Sequence, residues 1–406
     1  MLNKTICVAG RTQIAVDVLS LLVKRYSDTC EIWACPSTRD TGVNGWQPSF
    51  RFHAHRIGVK VVNLEDCWEI SNLIFLSVEY DRILKVEKFK DAVLINVHFS
   101  ELPKYKGMYT AIWPILHGDI RAGVSLHIIE RGIDTGPIID QISFEIPRNA
   151  TSRDLYLEFQ RNGLKLVSDN LDHIVSIKFG SYPQKSVGST YFSKDSIDFT
   201  KLEVPTNASA WQAACFTQAF SFREFQLPTF KGLPIYQAEV TEDKAINHPG
   251  YVVEESPYHF LVETIDFRLK LKKDLFDQLM EAARNGDIAA IQSIEMAGFD
   301  IALRTTREGW NVLIVAAYHN KLELVKWLIE QRGWGVNQRN YKGTTLLMYS
   351  FSAAIRDGDT AVFDYLVSFP EIDLDARDDL NLRIVDYVKK HGSNCPTSIM
   401  CFFAIN

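Results

Sequence analysis

Asn96 and His98 close the apolar run DAVLINVH, and Asp134 follows in the glycine-bounded loop of HIIERGIDTGPII, residues 127–139. A carboxamide, an imidazole and a carboxylate are the groups that moving an acyl unit onto an amine requires. The imidazole takes the proton as nitrogen attacks, the carboxamide donates to the oxyanion of the tetrahedral intermediate, and the carboxylate orients the imidazole. His98, Asn96 and Asp134 fill those roles in that order. Each alone also reads as ordinary structure, the histidine as a satisfied strand end and Asp-Thr-Gly as a tight turn. Between them runs LPKYKGMYTAIWPI (102–115), a loop punctuated by Pro and Gly and rich in aromatic residues. No Ser or Cys nucleophile motif stands nearby, so transfer is read as direct.

The elements that position these groups follow from hydrophobic patterning. A short apolar run rich in β-branched residues reads as a buried strand, and side chains two apart on a strand share a face. Asn96 and His98 therefore project together from the C-terminal edge of a sheet, where open α/β folds bind ligands. Over the first 190 residues strand and helix signals alternate: KTICVAG, CEIWACP, VKVVNL, NLIFLSV, DAVLINV, GVSLHIIE and GPIIDQISFEI as strands, TQIAVDVLSLLVKRY and 150–177 as helices. That alternation predicts α/β architecture, a mostly parallel sheet covered on both faces. Residues 191–271 change to short strands broken by Pro and Gly, a small mainly β subdomain. From 272 to 406 the chain turns helical, and Gly286/Asn320 and Gly309/Gly343 each stand 34 positions apart. A third copy, RDGDTAVFDYLVSF, is displaced by about four residues, and the period predicts stacked helix pairs. In LELVKWLIE the apolar face is Leu324, Val325, Leu328 and Ile329, with Glu323, Lys326 and Glu330 toward water. The final NCPTSIMCFFAIN is read as a cap or a frayed tail.

Asn96-x-His98, the Leu102-Pro103-x-Tyr105-x-Gly107 loop and Asp134-Thr135-Gly136, with 38 positions between Asn96 and Asp134, resemble the signature of the 10-formyltetrahydrofolate-dependent formyltransferases. The resemblance covers about residues 1–190 and implies a Rossmann-like catalytic domain. It implies that Asn96 polarises the formyl oxygen, His98 handles protons and Asp134 tunes His98. The co-substrate 10-formyltetrahydrofolate would lie against Tyr80, Asp81 and Arg82 of SVEYDRIL on one side, largely through backbone contacts. Glu130, Arg131, Gly132, Ile133, Gly136 and Pro137 would form the other wall. Tyr80–Arg82 read without the resemblance as a solvated helix start.

Members of this family formylate glycinamide ribonucleotide, methionyl-tRNA or nucleotide-linked amino sugars. A net charge of −6 without a basic stretch argues against tRNA, and the length and β subdomain argue against the compact purine enzyme. LPKYKGMYTAIWPI, CPSTRDTGVNGWQPSF and YFSKDSIDF look like the branch acting on dTDP-linked amino-dideoxy sugars for bacterial surface polysaccharide. Met108 stands where the UDP-aminoarabinose enzymes carry an arginine. The candidate sugar-nucleotide contacts are Lys106, Gly107, Met108, Tyr109 and Trp113, with Lys106 as a point charge for a diphosphate and an aromatic face for a pyrimidine. The repeats resemble ankyrin repeats over roughly 274–392, with Asn311-Val312-Leu313-Ile314 and Thr345-Leu346-Leu347-Met348 in place of Thr-Pro-Leu-His. A formyltransferase fused to such repeats resembles the dTDP-3-amino-3,6-dideoxyglucose N-formyltransferases. The expected acceptor is therefore the 3-amino sugar, with the 4-amino sugar as alternative. The repeats leave two uses open, a protein partner or a second nucleotide-sugar site near Trp310, Tyr318, Trp334 and Tyr341. A homodimer is expected by resemblance.

Three other readings meet an obstacle in the residues themselves. An NAD-type oxidoreductase needs GxGxxG, and VAGRTQIA has only Gly10. A zinc site at His53-x-His55, placed on a surface strand or loop, lacks a third ligand nearby, so no metal is expected. A binding scaffold with a dead enzyme half would have lost Asn96, His98 or Asp134. Hydrophobic content of 46% and charged content of 23% are those of a globular protein. Seven cysteines without CxxC spacing are read as reduced thiols, and MLNKTICVAG as no signal peptide. The expectation is a cytoplasmic protein that binds neither nucleic acid nor membrane.

Overall fold

The computed structural model describes residues 4–404. The chain divides into two compact units, one of residues 1–43 and 47–273, the other of 44–46 and 274–406.

The first unit opens with β1 (Thr5–Gly10), α1 (Thr12–Tyr26), β2 (Glu31–Pro36), α2 (Phe50–Arg56), β3 (Lys60–Val61), β4 (Leu73–Val78) and β5 (Ala92–His98). It continues through β6 (Lys106–Gly107), α3 (Trp113–Leu116), β7 (Arg121–Ile128), β8 (Ile138–Glu145), α4 (Ser152–Ser176) and β9 (Tyr191–Phe192). Seven strands form one sheet in the order β3-β2-β1-β4-β5-β7-β8. β1 to β5 pair in parallel, while β7 runs antiparallel to both β5 and β8. The parallel strands β1 and β4 are buried along their whole length, as strands covered on both faces must be. α4 starts at a capping box in which Thr151 and Asp154 satisfy each other's backbone N–H groups. Its buried Leu155, Phe159, Leu166 and Leu171 join Ile14, Val18 and Leu22 of α1 in one core.

α5 (Ala210–Phe220) precedes β10 (Thr229–Phe230), β11 (Leu233–Lys244), β12 (Val252–Glu255), β13 (His259–Glu263) and β14 (Phe267–Lys273). These five strands form a sheet of order β10-β11-β14-β13-β12 with antiparallel pairing. Its core packs Ile235, Phe260, Val262, Leu269 and Leu271 against Ala210 and Ala213 of α5.

The second unit is helical: α6 (Phe276–Asn285), α7 (Ile288–Met296), α8 (Val312–Tyr318), α9 (Leu322–Lys326), α10 (Leu346–Asp357), α11 (Ala361–Val367), α12 (Ile384–His391) and α13 (Thr397–Phe402). Asn311 and Thr345 each accept the backbone N–H three residues on, so both replacements of the usual repeat motif keep its N-cap. Leu324, Val325, Leu328 and Ile329 are buried, and Trp327 joins them. Trp310 packs on Tyr318 and Tyr349 at 5.0 and 4.6 Å between centroids. Tyr341 shares a hydrogen bond with Thr305, and Trp334 donates its backbone N–H to Leu328. The C-terminal segment folds as α13 with Cys395 and Ile399 buried, its last two residues lying outside the described ones. Among the described residues no helix is long and apolar enough to cross a membrane.

Candidate active site

β5 carries Asn96 and His98 to the sheet's C-terminal edge, and the pairing of β4 with β5 continues to Val78 and Val97. His98 is 7% exposed. Its Nε2 lies 2.9 Å from the Tyr105 carbonyl, which can only accept, so Nε2 carries a proton. Its Nδ1 faces Asp134 Oδ2 at 3.5 Å. Asp134 belongs to the loop between β7 and β8 and adopts a left-handed backbone, φ 53°. The Gly107 N–H donates to the same Oδ2 at 2.9 Å. His98 and Asp134, 36 positions apart in the chain, thus face each other directly, and His127 links Asn96 to the same carboxylate.

Burial alone would raise the Asp134 carboxyl. The facing His98 and the Gly107 N–H outweigh it and hold the group well below the usual carboxylate range. Asp134 is therefore ionised wherever the protein is folded at ordinary pH.

The surroundings explain why this geometry is held. Ser125 Oγ donates to the Ser100 carbonyl and accepts from Leu102 N–H and Gln141 Nε2, which pins the chain just after His98. Tyr105 N–H donates to Thr190, and its hydroxyl donates to Asp119, so the carbonyl that orients His98 is itself anchored. Gly107 has φ 89°, and a Cβ there would stand 2.1 Å from the Phe192 carbonyl oxygen. Only glycine lets β6 pair with β9 while turning its N–H onto Asp134. Gly136 has an equally tight place, where a Cβ would meet the Ile128 carbonyl at 1.9 Å. Gln184 Nε2 donates to the carbonyls of both Asp134 and Gly136 at 2.8 Å and ties the loop from 48 and 50 residues away.

Sequence reasoning missed His127, Gln184, Tyr105 and Ser125. His127 is 2% exposed and stands directly opposite Asn96 in the β5–β7 register. Its Nε2 is 3.1 Å from Asn96 Nδ2 and 3.6 Å from Asp134 Oδ1. The signal for it was the antiparallel turn-back of β7, which an apolar run does not announce.

Of the residues expected around a folate, Tyr80 packs edge-on against Phe75, with its hydroxyl 3.4 Å from Cys35 Sγ. Asp81 accepts from Thr38 and lies 3.8 Å from Arg39 Nε, and Arg82 pairs with Glu65 at 2.7 Å. No helix starts at Tyr80–Arg82; the next helical turn is a short one at Val86–Lys88. Glu130, Arg131, Gly132 and Ile133 are exposed, Gly136 is buried and Pro137 half-buried. Among the expected sugar-nucleotide contacts, Lys106 donates to Ser189 and Met108 is 41% exposed. Tyr109 packs edge-on against Phe199. Trp113 differs from its expected role: it is buried, with Phe192 stacked on its ring at 3.8 Å and Nε1 donating to the Met108 carbonyl. Its indole holds the loop together and offers no free face to a base.

A polar network lies at the C-terminal ends of β1 and β4, where the strand order reverses direction. Thr12 (φ 68°) donates to Glu79 (φ 54°) at 2.5 Å, and Tyr156 and Gln160 also donate to Glu79. Gln160 and the Gln13 N–H both donate to Gln47 Oε1. Burial pushes the Glu79 carboxyl up against these hydrogen bonds. Strained backbone of this kind clusters at functional sites, and open α/β sheets bind ligands at such a switch point.

The zinc reading has no support in the arrangement. His53 lies on the helix α2, not on a strand or loop, and bonds Ser20 at 2.7 Å. Among the described residues no group of three or more His, Cys, Asp or Glu side chains could hold a metal ion.

Comparison with known proteins gives a match to the formyl transferase family over residues 71–171 and to ankyrin repeats, three copies, over 279–378. WlaRD, a sugar 3N-formyl transferase crystallised in the presence of dTDP and 5-N-formyl-THF, is 35% identical. It aligns with a TM-score of 0.61 over 66% of this chain and 97% of its own. An N-formyltransferase from Helicobacter canadensis, in complex with folinic acid and dTDP-3-aminofucose, is 36% identical. Its TM-score is 0.62, over 67% of this chain and 100% of its own. Methionyl-tRNA formyltransferases from Clostridium tetani and Myxococcus xanthus are 27% identical over 184 residues and 35% over 112. The matches cover 45% and 26% of this chain, and it spans only 59% and 36% of the length of those curated relatives.

Proposed function

We propose, from the premise that this chain belongs to the sugar N-formyltransferase family, that it moves the formyl group of 10-formyltetrahydrofolate onto the amine of a dTDP-linked amino-dideoxy sugar. The acceptor of first choice is dTDP-3-amino-3,6-dideoxy-D-glucose, and the alternative is the 4-amino-4,6-dideoxy sugar. The observation that carries this reading is the convergence of His98, Asp134 and, through His127, Asn96 at the C-terminal edge of β5. It is reinforced by the alignment of two sugar formyltransferases over nearly their whole lengths.

The geometry suits direct transfer. The unprotonated sugar amine attacks the formyl carbon, and the carbonyl electron pair moves onto oxygen, where an Asn96 Nδ2–H donates to it. Because His98 Nε2–H is committed to the Tyr105 carbonyl, Nδ1 is the atom that takes the proton from the attacking nitrogen. Asp134, fixed by Gly107 and facing Nδ1, stabilises the imidazolium that forms. The oxyanion then collapses, the bond from carbon to N10 breaks, and N10 takes up the proton held at His98 Nδ1 as tetrahydrofolate departs, which returns His98 to its neutral form. The switch-point network of Thr12, Gln47, Glu79, Tyr156 and Gln160 borders the same sheet edge and supplies polar groups for a long, hydroxylated acceptor.

The test is a mass-spectrometric screen. Full-length protein with 10-formyltetrahydrofolate is offered dTDP-3-amino and dTDP-4-amino sugars of both gluco and galacto configuration. A gain of one CO unit on a 3-amino sugar is the expected result; formylation of the 4-amino sugars alone would replace the first choice, and of none would defeat the reading.

The placement of Asn96, His98 and Asp134 in the first unit gives a second expectation. A chain of residues 1–273 should retain kcat/KM within the same order of magnitude as the full chain, measured by the same assay. A truncated protein with native circular dichroism but no turnover would show that the repeats serve catalysis.

A further inference from the structure

We infer that His127 is a positioning residue for Asn96, holding its carboxamide in the one orientation that can stabilise an oxyanion; this deepens the formyl-transfer reading and rests on it. The tautomer of His127 is set by its neighbour. His127 Nδ1 lies 2.9 Å from the Ile128 carbonyl oxygen. That oxygen has no hydrogen to give, so Nδ1 carries the proton and, in the neutral ring, Nε2 presents a lone pair. Asn96 Nδ2, at 3.1 Å from Nε2, must then be the donor. The distance from Nε2 to Asp134 Oδ1, 3.6 Å, is too long to compete as a hydrogen bond.

The consequence lies in the asymmetry of a carboxamide. One Nδ2 hydrogen is spent on His127, and the second remains for the formyl oxygen as its charge develops. Without an acceptor at His127 the amide can turn over and present Oδ1, which repels an oxyanion. Nothing else on β7 can do this work: His127 is the residue in register with Asn96 and is almost wholly buried. A histidine packed only for volume would meet neither the fixed Nδ1–H nor the aligned Nε2.

The experiment uses the full chain and compares His127→Phe, which keeps a ring but loses the acceptor, with His127→Gln, whose Oε1 falls near the place of Nε2. Both are also made in an Asn96→Ala background. For His127→Phe, kcat should fall on the order of 10- to 100-fold, with KM for sugar nucleotide and folate little changed. His127→Gln should recover most of kcat, and His127→Phe should add no further loss once Asn96 is alanine. Loss confined to KM, equal loss in both backgrounds, or an unaffected Phe variant overturns the inference. Should the Phe chain not fold by circular dichroism, the Gln variant decides: kcat near wild type supports positioning, and a loss as deep as Asn96→Ala refutes it. A wild-type chain that formylates no amino sugar defeats the underlying reading itself, which separates that failure from this one.

Discussion

His98→Ala is expected to lower kcat for formyl transfer by about 10³-fold, with the folded state intact by circular dichroism. The side chain is buried, but it bonds to the Tyr105 carbonyl, faces Asp134 and meets the His127 ring edge-on, so alanine removes polar contacts and no part of the apolar core. What disappears is the group that takes the proton from the attacking amine. A loss of that size corresponds to roughly 4 kcal/mol of transition-state stabilisation, as expected of a general base with its own orienting carboxylate. The measurement is single-turnover formylation of a dTDP-3-amino sugar, so that product release does not mask the step. Near-normal turnover in His98→Ala would remove proton transfer from this residue and leave only oxyanion stabilisation and proximity to explain catalysis. The same assay on Asn96→Ala separates those two contributions, because that change leaves the His98 and Asp134 pair untouched.

Several features of this site are readable from residue types and spacing because local rules determine them. The period of two along a strand puts Asn96 and His98 on one face whatever the remainder of the chain does. The 34-residue spacing of Gly286 with Asn320 likewise reports a stacked unit directly. What the residues do not announce is set by long-range pairing. GVSLHIIE is buried along most of its length, and such a run reads identically for a parallel and an antiparallel neighbour. Only the reversal of β7 beside β5 brings His127 opposite Asn96. Trp113 shows the converse: an aromatic in a loop cannot be sorted into platform or packing until the residue covering its face, Phe192, is known. Gln184 acts on Asp134 through its side-chain amide and two backbone carbonyls, and no local pattern encodes such a reach. α5, begun by the Ser209–Gln212 capping box, sits within a segment whose Pro and Gly content suggests strands alone.

The carboxylate gives the second large effect and a pH dependence with a definite sign. Asp134→Asn keeps the shape and removes the charge facing His98 and His127, and kcat should drop by about 10³-fold at neutral pH, since the imidazolium loses its stabilising partner. The group's folded-state pKa is depressed, so its contribution to stability is fully present above the usual carboxylate value of about 4. That contribution is lost as pH falls below this value toward the folded one. The wild-type chain should therefore exceed Asp134→Asn in Tm by the widest margin near neutrality, and the margin should shrink as the solution is acidified. Thermal melts of both chains across this range check it. A margin that stays constant with pH would mean that the charge of Asp134 is not what the site stabilises. Retained turnover in the Asn variant would mean that His98 needs no carboxylate, and the site would then owe its catalysis to the carboxamide of Asn96.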